Sequence, residues 1–105
     1  MSEFSIDLQE GIAKIDLGER VDTTNAGDLT ETLRTMVGQD VSKVVMEASN
    51  LEYLSSAGLR AIVFAKQKIG QGLDVILVGA KEEIADVIKM TGFDSFVTIQ
   101  DSFEG

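Results

Sequence analysis

The chain has 105 residues, 44% of them hydrophobic and 26% charged, which is the composition of one small globular domain and not of a disordered segment. Its 18 acidic and 9 basic residues leave a net charge of −9, which disfavours binding to nucleic acid or anionic lipid and suits docking to a basic protein surface. Because cysteine and histidine are absent, disulfides, Ser-His and Cys-His nucleophiles, and thiolate or imidazole metal sites are excluded.

Targeting and membrane signals are also missing from the sequence. No apolar run is long enough to span a bilayer. The first five residues lack the basic start and apolar core of a signal peptide. We therefore expect a protein located in the cytoplasm and without a membrane partner. Since no linker or internal repeat divides the chain, we also expect a single domain over residues 1–105.

The first elements in chain order form a predicted β-hairpin. Residues 4–8 alternate apolar and polar side chains, as half-buried strands do, and residues 12–17 alternate again. Gly11 lies between the two runs and favours a tight turn. Residues 18–22 are predicted to be a loop.

A helix and a buried strand are predicted next. The residues from Asp22 to Asn25 are all good N-cap types, and apolar side chains then recur at helical spacing as far as Val37. Gly38 fits the C-terminal cap of this helix. Residues 41–47 have the continuous apolar character of a strand that is covered on both faces.

The second half of the chain alternates between helical and strand patterns. A helix is predicted over residues 59–69 and a turn over 70–72. A buried strand over 75–78 and a short helix containing Ile84 and Ile88 follow, and residues 96–99 complete the pattern as an edge strand.

This order of elements defines the expected fold class. The sequence predicts an α/β domain with a mixed β-sheet, the order β-β-α-β-α-β-α-β, and helices packed on the sheet. Strands that alternate with helices pair in parallel through right-handed crossovers, whereas the opening hairpin adds one antiparallel pair.

The most informative segment is residues 53–60, with the sequence YLSSAGLR, which joins a predicted strand to a predicted helix. Ser55 and Ser56 therefore lie where first-turn N–H groups have no intrahelical acceptor and the helix dipole is positive. Such a position accommodates an anion, including a phosphate esterified to serine. Serine is also among the best N-cap residues, so either hydroxyl could simply cap the helix, and the expected role of Ser55 is to cap the helix or shape the loop.

This segment closely resembles the phosphorylation loop of anti-sigma factor antagonists, which are stand-alone STAS domains. Alignment on Gly58 and Leu59 gives Ser56 the phosphoacceptor position and Ser55 the position where many members carry aspartate. The resemblance extends along the chain to residues 18–19, to Asp22 and, more weakly, to residues 90–93.

The resemblance implies a partner-switching regulator that is not itself an enzyme and needs no cofactor or metal. The unphosphorylated domain would bind a serine kinase that also sequesters a sigma factor or another target. Phosphorylation of Ser56 would end that binding, and a serine phosphatase would reverse it. The implied partner-binding residues are Asp22, Ser55, Ser56, Ala57, Gly58 and Arg60.

Several alternatives stay open at the level of sequence. Asp22 could serve only as a helix-capping acid, and Arg60 could be a solvated side chain or pair with Glu52. The same fold could instead act as a regulatory subunit of a bacterial lipid-transport ABC complex. An enzyme that uses Ser56 as nucleophile is a further alternative, although the chain offers no histidine base.

Overall fold

The computed structural model describes residues 4–68 and 72–101. Within them the chain forms seven strands, three α-helices and one short 3₁₀ helix. Their bounds are β1 Ile6–Gln9, β2 Ile12–Asp16, β3 Arg20–Val21, α1 Ala26–Arg34, β4 Lys43–Glu47, β5 Tyr53–Leu54, α2 Ser56–Lys68, β6 Asp74–Val78, α3 Glu82–Met90, the 3₁₀ helix Phe93–Ser95 and β7 Thr98–Gln100.

Five strands form the main sheet in the order β1-β2-β4-β6-β7. The β1 and β2 strands are antiparallel, and the other three neighbouring pairs are parallel. This arrangement confirms the predicted mixed sheet, its opening hairpin and the edge position of the last strand. The helices α1, α2 and α3 provide the crossovers between the parallel strands, as the alternating pattern predicts.

A second sheet of two short parallel strands, β3 and β5, stands apart from the first. The sequence prediction was wrong here, because residues 18–22 were expected to form a loop and Tyr53 and Leu54 were not expected to pair. Each strand is only two residues long, too short to show an alternating pattern. Their pairing is therefore decided by the approach of two distant segments, in which Arg20 lies opposite Tyr53 and Val21 opposite Leu54.

The core lies mainly on one face of the main sheet. Alternation along β4 directs Val44 and Met46 into the same buried cluster as the apolar residues of all three helices. Val45 points to the opposite face, where it forms a smaller cluster with Ile76 and Val78. The expectation that β4 is buried on both faces is confirmed.

Several predicted boundaries differ from the structure. The strands predicted over residues 4–8, 41–47 and 96–99 are Ile6–Gln9, Lys43–Glu47 and Thr98–Gln100. The α1 helix ends at Arg34 with Thr35 as its C-cap, and Gly38 lies beyond it in a turn with a φ of +87°, so Gly38 is not the helix cap. The α2 helix begins at Ser56, three residues earlier than predicted, and residues 69–71 lie outside the described residues. Within the described ranges, no helix is long and apolar enough to cross a membrane.

Candidate functional site

The β3–β5 ladder brings together the two segments that carry the predicted site. Asp22 directly follows β3, and Ser55 directly follows β5. Because parallel strands end at the same edge, both residues lie at one end of the ladder. The N–H of Ser55 donates a hydrogen bond of 2.9 Å to the carbonyl of Val21, which extends the pairing to this end.

Ser55 caps α2. Its Oγ accepts a hydrogen bond of 3.1 Å from the N–H of Gly58, and its carbonyl accepts the first intrahelical bond from Leu59 at 2.9 Å. Capping the helix or shaping the loop was the expected role of Ser55, and this hydrogen bond confirms that Ser55 is the cap.

Ser56 is the first residue of α2, and its side chain is exposed. Within the described part of the chain, its hydroxyl makes no hydrogen bond. The hydroxyl is therefore accessible from solvent at the positive end of a 13-residue helix, and it is not needed to cap that helix.

Gly58 is buried where α2 comes closest to the small sheet. A Cβ atom at this position would lie 2.8 Å from side-chain carbons of Val21 and Leu54 and 2.9 Å from the carbonyl oxygen of Val21. Since that oxygen belongs to the backbone, a change of rotamer would not relieve the clash. Glycine is required here so that the start of α2 can lie against β3 and β5.

Asp22 is held in a network of its own beside this helix start. One carboxylate oxygen accepts hydrogen bonds from the hydroxyl and the N–H of Thr24, the latter at 2.9 Å, and the other lies 3.0 Å from Nε of Arg20. The hydrogen bond from the Thr24 hydroxyl is the main reason that the pKa of Asp22 lies below its ordinary value, and Arg20 lowers it further. Asp22 is therefore a fixed negative charge at neutral pH.

Asn25, and not Asp22, is the N-cap of α1. Its side chain turns back to the small sheet, where Oδ1 accepts the N–H of Asp22 at 2.8 Å and Nδ2 donates to the carbonyl of Arg20 at 3.0 Å. The Asn25 side chain thus holds the backbone of both Arg20 and Asp22, which fixes the position of the Asp22 carboxylate.

Sequence reasoning missed Arg20 and Tyr53 as members of this site. The Arg20 guanidinium lies 5.4 Å from the centre of the Tyr53 ring, a cation–π arrangement between residues paired across the ladder. With Glu19 and Glu52 they line a hollow of about 210 Å³. The sequence could have indicated these residues only if β3 and β5 had been recognised as paired strands. Strands of two residues are too short to show an alternating pattern.

The remaining predicted residues lie in the first part of α2, after the two serines. Ala57 is half-buried and Arg60 is exposed on α2. The predicted alternative pair between Arg60 and Glu52 does not form, and Oε1 of Glu52 lies 3.4 Å from Nζ of Lys81. No group of three or more acidic side chains that could hold a metal ion occurs within the described residues.

A family model described as "STAS domain" matches residues 3–105. The chain belongs to the STAS domain family. The family match confirms the family that residues 53–60 indicated, and the α/β fold with its mixed sheet agrees with solved anti-sigma factor antagonists.

Several proteins similar to this STAS domain are named anti-sigma factor antagonists. RsfB of Mycobacterium tuberculosis, named an anti-sigma-F factor antagonist, is 27% identical over 99 residues, which cover 90% of this chain and 81% of RsfB. An anti-sigma factor antagonist from Mycobacterium paratuberculosis has the same fold, with a TM-score of 0.81, 20% identity, and coverage of 95% of this chain and 86% of its own. The phosphorylated form of SpoIIAA from Bacillus has a TM-score of 0.73 at 14% identity and covers 96% of this chain and 92% of its own.

Proposed function

We propose that this STAS domain is an anti-sigma factor antagonist that switches partners through phosphorylation of Ser56. The observation that carries the proposal is that the two serines differ in their contacts. Ser55 caps α2, whereas the hydroxyl of Ser56 is exposed and forms no hydrogen bond within the described chain. A hydroxyl in that position can gain a phosphate without loss of a contact that holds the fold.

The relatives support this proposal from two directions. The name of RsfB assigns it the antagonism of an anti-sigma factor, and its similarity covers nine-tenths of this chain. SpoIIAA has been solved both unphosphorylated and phosphorylated, and the two forms match this chain with TM-scores of 0.72 and 0.73. A fold of this kind therefore accommodates a phosphorylated state without a large rearrangement.

The partner in this proposal is a serine kinase that doubles as an anti-sigma factor. The surface of this domain that would bind the kinase comprises Asp22, Ser55, Ser56, Ala57 and Arg60. The buried Gly58 contributes by letting α2 lie against β3. The net charge of −9 favours a kinase with a basic docking face.

Phosphorylation would break this complex by charge. The kinase transfers the γ-phosphoryl group of ATP to Oγ of Ser56, leaving ADP, and the hydroxyl proton passes to a base of the kinase. The phosphate adds about −1.5 to −2 charges at neutral pH. A surface complementary to a neutral hydroxyl cannot accommodate this added charge, so the kinase dissociates, and a serine phosphatase later restores the hydroxyl.

The first test identifies the partner and the site. Affinity capture from native lysate with the Ser56→Ala variant as bait should retain the kinase, since this variant cannot be phosphorylated and released. Incubation of the wild-type protein with that kinase and ATP, followed by peptide mass spectrometry, should locate the phosphate on Ser56. Labelling should persist in Ser55→Ala and disappear in Ser56→Ala, whereas phosphate on Ser55 would contradict the assignment.

The second test measures the switch. By calorimetry, Ser56→Ala should bind the kinase as tightly as the wild type, while Ser56→Asp and the phosphoprotein should lose about 2–5 kcal/mol of binding free energy. Circular dichroism should show the same fold for all four proteins. Equal kinase affinity for the phosphorylated and unphosphorylated proteins would falsify the proposal.

A further inference from the structure

Arg60 is an exposed cation one helical turn beyond Ser56. The other cations near the site already have partners. Arg20 is paired with Asp22 at 3.0 Å and lies over the Tyr53 ring, and Lys81 lies 3.4 Å from Glu52. Arg60 takes part in none of the ion pairs found among the described residues.

The spacing of Ser56 and Arg60 is that of two side chains that meet on a helix. Residues at positions i and i+4 have Cβ atoms about 5–6 Å apart. Helical side chains also lean toward the N-terminus, so a residue at i+4 covers the surface next to residue i. An anion at i followed by a cation at i+4 is the more favourable order of charges. A neutral serine offers Arg60 no charge to bind, whereas a phosphoserine at the same position would.

We propose that the guanidinium of Arg60 binds the phosphate on Ser56 and holds it against α2. This inference rests on the proposed phosphorylation of Ser56 and assigns the residue that receives the phosphate. Arginine suits the role because its planar fork can donate two parallel hydrogen bonds to phosphate oxygens. Phosphorylation then changes the docking surface in two ways: it adds negative charge at Ser56, and it removes Arg60 from contact with the partner.

The charges around the site favour Arg60 over other cations for this role. Arg20 would have to leave both Asp22 and the Tyr53 ring to reach a phosphate. Lys66 and Lys68 lie in the last turn of α2, and Lys68 is twelve residues from Ser56, which is about 18 Å along a helix. The first turn of α2 holds no acidic residue that would compete with the phosphate for Arg60.

The test uses the full chain with phosphoserine incorporated at position 56 during translation, so that no kinase is needed. A cation beside the phosphate favours its dianion and lowers its second pKa, which can be followed by phosphorus NMR as a function of pH. We expect Arg60→Gln to raise that pKa by about 0.15–0.4 unit, the shift that one exposed i,i+4 ion pair produces when the second ionisation adds one negative charge. Arg60→Lys should give a smaller rise because it keeps the charge and loses the fork.

Lys68→Gln is the matched control, because it removes the same charge from the far end of the same helix. It should leave the phosphate pKa within about 0.1 unit of the wild type, since at that distance solvent ions screen the charge. The difference between Arg60→Gln and wild type should also shrink in about 0.5 M salt. As a second readout, the Nε–H resonance of Arg60 should move between the unmodified and phosphorylated proteins.

An equal phosphate pKa in wild type, Arg60→Gln and Lys68→Gln, with an unmoved Arg60 resonance, would overturn the inference. That result is distinct from failure of the proposed function. If the captured partner neither binds at Ser56 nor phosphorylates it, the switch is wrong even when Arg60 lowers the pKa of an incorporated phosphoserine. Circular dichroism on each variant excludes unfolding as the cause of either result.

Discussion

The starts of α1 and α2 lie side by side at the small sheet. They differ in the acidic side chains and capping hydrogen bonds that surround each helix end. At the start of α1, the Asp22 carboxylate is bound by Thr24 and Arg20, the Asn25 side chain is tied to β3, and Asp28 supplies an acid in the first turn. At the start of α2, only Ser55 makes a capping bond, and the first turn has no acid.

This difference suggests separate roles for the two helix starts. The start of α1 holds a permanent negative charge in a fixed position, which suits a constant docking contact. The start of α2 leaves a positive helix end without an acidic side chain in its first turn and presents an exposed serine. A charge added there by modification would meet a favourable field and no competing carboxylate from the first turn. The variants below test the difference between the two sites.

The largest stability effect is expected at Gly58. Gly58→Ala would place a Cβ 2.8–2.9 Å from atoms of Val21 and Leu54, so α2 must move away from the small sheet. We expect a loss of about 1–3 kcal/mol in the free energy of unfolding, the usual cost of forcing an extra carbon into a packed contact. Urea denaturation measures this loss, and an unchanged midpoint would show that α2 does not depend on this close approach.

Removal of the cap should have the next largest effect. Ser55→Ala deletes the acceptor for the Gly58 N–H and should cost about 1 kcal/mol of stability. Ser56→Ala is the matched control and should change stability by less than about 0.5 kcal/mol, as expected for an exposed side chain without a structural contact. Ser55→Asp should restore the cap, because aspartate also accepts a hydrogen bond at this position. Comparable losses for the two alanine variants would show that both serines are structural.

Gly27, the second residue of α1, is the counterpart of Gly58 in the other helix. Apart from its chain neighbours and the backbone of its own helix, no described atom lies within 4 Å of the position that a Cβ would take. Gly27→Ala should therefore stabilise the protein by about 0.4–1 kcal/mol, because alanine restricts the unfolded chain and fits the helix. Thermal unfolding would detect the gain as a higher Tm. A lower Tm would indicate that the two helix starts are packed more alike than the distances suggest.

The smallest effect is a pH dependence at Asp22. Because hydrogen bonds keep its folded-state pKa below the unfolded value, its contribution to stability is present above about pH 4 and is lost as the pH falls further. The stability difference between wild type and Asp22→Asn should therefore be larger at pH 6 than at pH 3. Thr24→Val, which removes the hydroxyl donor, should raise the pKa of Asp22 in a carbon NMR titration. A pH-independent difference would contradict this account.

Long patterns along the chain could be read from sequence because they repeat. The hairpin, the buried strand β4 and the three helices each present enough residues for a period of two or of 3.6 to appear. Boundaries were less accurate: α1 was extended to Val37, although the helix ends at Arg34 and Met36 is buried from the turn that follows. A buried apolar residue just past a helix continues the helical pattern, so spacing alone cannot show where the backbone bonds stop.

By itself, the sequence determined the α/β class, the mixed sheet, the family, and Ser56 as the candidate phosphoacceptor. Tertiary structure alone decided that β3 pairs with β5 and that Arg20 lies over Tyr53 and binds Asp22. The physical reason is the distance along the chain between the segments involved. Periodicity and capping preferences act over a few residues, whereas the pairing of residues 20–21 with residues 53–54 depends on the main sheet and helices that bring these segments together.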